Sequence, residues 1–237
     1  MAGALLEVNG VVKRFGGFTA LNQVTLHVKP GERFGLIGPN GSGKTTLINC
    51  VSGSLHADEG RILFDGRDIT TLPAHRRTRL GIARSFQIPK PFTSMSVRDN
   101  LGIPLEYVGH GRPGGAEVDE ILRDIGLHAK AHLRPAGLTQ IEMRKLELAR
   151  AMAARPKLLI SDEAMAGLSH AEVDDILAIL FRLNEQGITI IMIEHIMRAV
   201  MRFSQRVVVL DAGERIAEGT PDEIVRNAAV EKAYLGE

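Results

Sequence analysis

The residues best placed to do chemistry form a glycine-rich turn between an apolar strand and an apolar helix. Phe34-Gly35-Leu36-Ile37 reads as the strand, and Leu47, Ile48 and Val51 as one face of the helix. Between them Gly38-Pro39-Asn40-Gly41-Ser42-Gly43-Lys44-Thr45, continuing to Thr46, fits the phosphate-loop pattern G-x-x-x-x-G-K-[ST]. A polyphosphate must be held without a proton to neutralise it. Converging backbone N–H groups and a helix N-terminus do this. The glycines at 38, 41 and 43 permit backbone conformations and a close approach that a Cβ obstructs. Lys44 supplies a mobile cation for the β- and γ-phosphates, and the Thr45 hydroxyl stands where Mg²⁺ would sit.

Further candidates lie outside the loop. Leu158-Leu159-Ile160 is a short apolar strand that ends in Ser161-Asp162-Glu163. A carboxylate at Asp162 can hold Mg²⁺ through water, with Thr45 as the other protein ligand. Glu163, pointing the other way, can take a proton from an attacking water. Gln87 closes the strand Ile82–Phe86; its amide can contact Mg²⁺ and water without acting as a base. His195 follows the strand Ile188–Ile193 and so falls on the ligand edge of a parallel sheet, where it can bond a γ-phosphate. Phe15, before the pair Gly16-Gly17, either stacks on a nucleotide base or fills the core.

The elements that must position these groups alternate between strand and helix. Leu5–Phe15 and Val24–Lys29 alternate apolar and polar residues, as two strands of a half-exposed antiparallel sheet do. The helix after the phosphate loop runs to about Ser52. Arg61–Phe64 is a strand closed by Asp65-Gly66, Pro73–Leu80 a short helix, and Pro89 and Pro91 end regular structure after Gln87. Helical periodicity then dominates Val97–Leu105, Ala116–Ile125 and Glu142–Ala153, with Gly109, Gly111, Pro113, Gly114, Gly115 and Pro135 between. Ala171–Leu183 is an amphipathic helix, Val207–Leu210 and Arg215–Glu218 a hairpin, and Pro221 opens a last helical segment. The expected fold is α/β: a P-loop NTPase core with a mainly parallel sheet, an N-terminal antiparallel β subdomain and an inserted α-helical subdomain. It is expected as one domain over 1–237, with an α/β core at 1–87 and 156–237 and a helical lobe at 88–155.

Composition bounds the partners. The chain has 237 residues, 44% of them hydrophobic, and a net charge of +1, so it lacks the strong basic footprint of a nucleic-acid binder. A single cysteine, Cys50, rules out an internal disulfide. The longest apolar run, Ile188–Ile193, falls far short of the roughly 18–20 residues of a membrane helix. No signal-peptide pattern opens the sequence, and the expectation is a soluble protein or one peripheral to a membrane through a partner.

In order and spacing these residues resemble the ATP-binding-cassette (ABC) ATPases over nearly the whole chain. By that resemblance Phe15 is the adenine-stacking aromatic, Gly38–Thr45 the Walker A loop and Gln87 the Q-loop glutamine. Leu159–Glu163 becomes Walker B with its catalytic glutamate, and His195 the switch histidine. Phe15-Gly16-Gly17, Gly81–Gln87, Ile193-Glu194-His195 and the tail Glu218–Pro221 to Ala233–Glu237 are similar to the branched-chain amino acid importer subgroup, of the high-affinity leucine/isoleucine/valine type. The resemblance implies ATP and Mg²⁺ as cofactors, with Thr45, Gln87 and Asp162 around the metal and Lys44, Gln87, Glu163 and His195 in catalysis. It implies a second cassette as a homo- or heterodimer partner, two membrane permease subunits, indirectly a solute-binding protein, and no nucleic acid. The place implied is peripheral, at the cytoplasmic face of the inner or plasma membrane. Two other readings compete: a soluble cassette acting on nucleic acid or ribosomes, usually with tandem cassettes or a long coiled coil, and a small-molecule kinase, which gives no role to Gln87, His195 or the helical lobe.

The sequence departs from that family at its signature, usually Leu-Ser-Gly-Gly-Gln. Leu138-Thr139-Gln140-Ile141-Glu142 keeps a hydroxyl at Thr139 but neither glycine, and Glu142 is expected to bring negative charge near phosphate. Ser169 stands where the family usually has Asp or Asn, and Ala164 where Pro is common.

Overall fold

Residues 3–109 and 114–235 are described in the computed structural model of the chain, so Gly111 and Pro113 of the helical stretch and Gly236 and Glu237 of the tail lie outside the described residues. The described chain divides into two compact units, residues 3–77 with 189–235, and residues 78–188 apart from the undescribed gap.

In the first unit the alternating N-terminal residues form β1 (Leu6–Phe15) and β2 (Phe18–Val28), paired antiparallel. β4 (Glu59–Phe64) pairs with the other edge of β1, and β5 (Arg67–Asp68) with β4. Leu6, Val8, Val11, Leu21, Val24, Ile62 and Phe64 fill the buried face. The three parallel strands of a second set are mostly apolar because both their faces are covered. β3 (Arg33–Ile37) lies between β8 (Thr189–Ile193) and β9 (Arg206–Asp211), parallel to both. β10 (Glu214–Gly219) turns back antiparallel to β9 through Ala212 and Gly213, both in the left-handed region. α1 (Lys44–Ser52) follows β3, and α2 (Ala74–Leu80) starts at the end of this unit's first segment. α8 (Pro221–Val225) and α9 (Ala228–Leu235) form the tail. The sequence reading had no counterpart for α7 (Met197–Phe203), a short helix with Ala199, Val200 and Phe203 buried and no side-chain cap at its start.

In the second unit β6 (Ile82–Ser85) and β7 (Leu158–Asp162) run parallel. α3 (Val97–Gly109), α4 (Gly115–Asp124), α5 (Gln140–Met152) and α6 (His170–Glu185) supply the helices. β6 stops at Ser85, and Phe86, expected in a buried strand, is exposed.

Two polar arrangements hold helix ends. The Arg77 guanidinium is fully buried. Its Nη1 donates to the Cys50 and Val51 carbonyls at 2.6 and 2.9 Å, its Nε to Leu72 O at 2.7 Å, and its Nη2 to Thr70 O at 3.0 Å. The first two are carbonyls of the last turn of α1, where a cation also meets the negative end of the helix dipole. Burial lowers the Arg77 pKa from its ordinary value, yet guanidinium stays charged where an ammonium would lose its proton more readily. The second arrangement starts α5. Thr139 Oγ1 accepts the Glu142 N–H at 3.4 Å, and Glu142 Oε2 accepts the Thr139 N–H at 2.9 Å. Lys130 Nζ lies 2.7 Å from Glu142 Oε1. The Lys130 ammonium first, and the Thr139 N–H next, hold the Glu142 carboxyl below its usual range.

Arg77→Met keeps the aliphatic bulk but leaves four carbonyls without this donor. It is expected to lower unfolding stability by about 3 kcal/mol or more, read as a shifted denaturant midpoint at unchanged slope. Glu142 titrates lower folded than unfolded, so its contribution is full above its unfolded pKa of about 4.3 and lost as pH falls through the folded value. The stability gap between the parent and Glu142→Gln should therefore shrink between about pH 6 and about pH 3. A gap independent of pH would show that the carboxylate is not so held.

Candidate functional site

β3 is buried on both faces and delivers the chain directly into the loop 38–43. At Gly38 (φ +149) a Cβ would stand 2.0 Å from Leu210 O, and at Gly43 (φ +100) 2.7 Å from Ala20 O. Only glycine lets the loop lie this close to β2 and β9. From outside, the Gly213 N–H donates to Ser42 O at 3.1 Å, and the Asn22 N–H to Gly213 O at 2.8 Å. Lys44 is 6% exposed, and its ammonium donates to Gly38 O at 2.8 Å and Pro39 O at 3.0 Å. The loop is thus curled around its own cation. No side chain caps the start of α1, so its first-turn N–H groups and its dipole are available to an anion. Asn40, Gly41 and Thr45 are exposed, and Ser42 is buried.

Three other groups belong to this unit. Phe15 is 48% exposed, so it is not a core residue; Lys13 Nζ lies 5.5 Å from its ring centre. Ile193 of β8 sits beside Leu36 of β3, so exposed His195 leaves the sheet at the same edge as the loop. Burial pushes the phenol pKa of Tyr234 in α9 up, with the nearby Gly38 N–H acting the other way. The sequence marked the tail only as a subgroup feature and gave no sign of this nearness to the phosphate loop.

The second unit brings the other candidates together in cross-strand pairs. Gln87 Nε2 donates to Glu163 Oε2 at 2.5 Å. Asp162, the last residue of β7, accepts from Arg84 of β6, Nη2 at 2.5 Å and Nε at 3.1 Å, both on Oδ2. Glu163 itself sits at φ +48, in the left-handed region that few non-glycine residues adopt. Such strain accompanies sites where a side chain must be aimed. Arg84 was not among the sequence candidates. A lone charge inside the buried run Ile82-Ala83-Arg84-Ser85 was the available signal, because a buried charge needs a partner.

The Leu138–Glu142 segment differs from expectation in one respect. Glu142 does not project its charge outward; its carboxylate folds back onto the start of α5 and onto Lys130. Thr139 is the helix N-cap, and the Gln140 amide nitrogen lies 3.0 Å from where a Cβ on Gly167 would stand. Ser169 performs the same capping at α6, with its Oγ accepting the Glu172 N–H and the Glu172 carboxylate accepting the Ser169 N–H at 2.8 Å. A serine caps a helix as well as the Asp or Asn usual there.

Among the described residues no group of three or more His, Cys, Asp or Glu is placed to hold a metal, and no helix is long and apolar enough to cross a membrane.

The chain matches two family profiles: "ABC transporter" over residues 21–166, and "Branched-chain amino acid ATP-binding cassette transporter" over residues 214–237. It is 36% identical to the high-affinity branched-chain amino acid transport ATP-binding protein BraF of Pseudomonas aeruginosa, over all of both chains. It is 37% identical to the corresponding LivG protein of Escherichia coli K12, again over all of both. Among solved structures, the ADP conformation of MJ1267, an ATP-binding cassette of an ABC transporter, superposes with a TM-score of 0.90 at 33% identity, covering 99% of this chain and 100% of that one. A dimeric post-hydrolysis state of the cassette MJ0796, bound to ADP and Pi, gives 0.82 at 26% identity, covering 91% and 98%. With the phosphate loop, the strand-end carboxylates and the tail all in place, the chain belongs to the ABC transporter family, as an ATPase cassette with the C-terminal segment of the branched-chain amino acid group.

Proposed function

We propose that this chain is the ATP-hydrolysing subunit of a membrane importer for branched-chain or related amino acids. The observation that carries the reading is the full-length likeness to BraF and LivG, tail included. In this reading two cassettes pair face to face, dock on two permease subunits at the cytoplasmic face of the membrane, and serve a solute-binding protein. The exposed side chains of Phe86, Ile88 and Phe92, beside Gln87, offer an apolar surface for the permeases. The stretch 88–155 acts as the helical subdomain of a single cassette domain. A role on nucleic acid or ribosomes draws no support from these likenesses.

The adenine stacks on Phe15, and the phosphates lie on the N–H groups of 38–46 with Lys44 as their cation. The hydroxyl of Thr45, the carboxylate of Asp162 (through water) and the amide oxygen of Gln87 are hard oxygen donors, which suits Mg²⁺. So small a donor set suits a cation that keeps waters and takes phosphate oxygens. When bound, Mg²⁺ would neutralise charge developing on the β- and γ-phosphates. Glu163 orients the attacking water and accepts its proton, and the bond from Gln87 fixes that carboxylate. Lys44 and His195 stabilise the charge on the transferred phosphoryl group. The start of α5 presents Thr139 and backbone N–H groups to the partner's nucleotide, but Gln140 and Ile141 carry side chains where the family's glycines allow close approach. This chain therefore offers its partner a weakened signature face, and a heterodimer would have two unequal sites.

Co-purification with two permease subunits, and ATPase activity stimulated by a binding protein loaded with leucine, isoleucine or valine, test the assignment. Failure of all three amino acids to stimulate would move it to another substrate class. Glu163→Gln should keep ATP binding and lower turnover by about 10²–10⁴. Near-normal turnover would remove Glu163 from the role of base. Gln140→Gly combined with Ile141→Gly, assembled with the natural partner, should raise ATP turnover; an unchanged rate would show that backbone geometry suffices without glycine.

A further inference from the structure

Arg84 stands out because its charge is buried and its partner is the carboxylate assigned to the metal. The Arg84 and Asp162 side chains are 9% and 10% exposed. They face each other from adjacent parallel strands, whose register sets Arg84 beside Ile160 and Ser85 beside Ser161. The guanidinium carbon also lies 5.0 Å from the centre of the Phe86 ring. Taking both charges out of water costs free energy that their attraction offsets only with good geometry. Arg84 gives Asp162 that geometry through two N–H groups on one oxygen. A carboxylate kept for a dication would otherwise be a buried, unpaired anion whenever the dication is gone.

We propose that Arg84 is a positioning residue, the resident counter-cation of Asp162. It holds the carboxylate in place while no divalent ion is bound, and it competes with that ion for the same group. The inference rests on the reading of Asp162 as a metal carboxylate. Competition of this kind weakens divalent affinity and favours release of the metal with the product nucleotide. A purely structural Arg84 would have no such effect on the metal.

The test is a Mn²⁺ titration of the full chain with saturating ADP, with free Mn²⁺ read by electron paramagnetic resonance. The proteins compared are the parent, Arg84→Gln, Arg84→Lys and Asp162→Asn. Arg84→Gln should bind Mn²⁺ about tenfold more tightly, a typical coupling between two sites, while Arg84→Lys stays close to the parent and Asp162→Asn binds more weakly. Unchanged or weaker binding by Arg84→Gln, with Asp162→Asn weakened, overturns the proposal and leaves the metal reading intact. Unchanged binding by Asp162→Asn removes the metal reading itself. Because Arg84→Gln removes a buried pair, the intact protein supplies a second readout. The ¹⁵N-arginine Nε–H resonance of Arg84, assigned by its loss in Arg84→Lys, should shift when Mg²⁺ is added to the ADP-bound parent. A resonance that does not move also overturns the proposal.

Discussion

A buried ammonium folded back onto the carbonyls of its own loop is the interaction on which the rest of the phosphate site depends. Lys44 can reach Gly38 O and Pro39 O only because the loop closes into a tight curl. The curl closes only because Gly38 and Gly43 let it press against Leu210 and Ala20. Those two contacts in turn require β9 and β2 to stand where they do. The antiparallel hairpin, the parallel strands and the turn at Gly213 thus converge on one requirement: a small space lined with N–H groups and one positive charge. Such a space suits the polyanion that the proposed function assigns to it.

Two guanidiniums show how differently the chain uses the same group. Arg77 is buried against carbonyl oxygens and ties the end of α1 to the loop before α2. Its work is mechanical: it fixes the far end of the helix that follows the glycine-rich loop. Arg84 is buried against a carboxylate at the end of β7, so its charge enters the electrostatics of that strand end. Lysine would not serve at Arg77, since it cannot spread several donors in a plane to four separate carbonyls.

Much of this was legible in the sequence. The phosphate loop, the two carboxylates at a strand end and the alternation of β1 and β2 are written in residue type and spacing. The inward turn of Glu142 was missed although its signal was present: Thr139-x-x-Glu142 is a capping box, and Ser169-x-x-Glu172 and Thr220-x-x-Glu223 repeat it. A carboxylate three residues after a cap bonds the cap's N–H before it meets any ligand. Other features were not legible. Nothing in the basic run His75-Arg76-Arg77-Thr78-Arg79 says which arginine is buried, because the choice depends in part on the Cys50 and Val51 carbonyls, more than twenty residues away. α7 spans two turns without a capping side chain, too little periodicity to distinguish it from a loop. The nearness of Gly38 to Tyr234 joins parts of the chain far apart in sequence, and no local pattern encodes it.

Glu163 stands in a backbone conformation that costs a non-glycine residue about 1–3 kcal/mol. Glycine would relax that residue, and the fold as such would be better served by it. On the proposed role of Glu163 as the base, a glutamate there means that selection for stability and selection for turnover pull in opposite directions at this one position. Drift toward a sturdier chain at residue 163 leads away from an enzyme. A descendant released from hydrolysis, but still selected to fold, would be free to lose this carboxylate while its phosphate loop stayed intact.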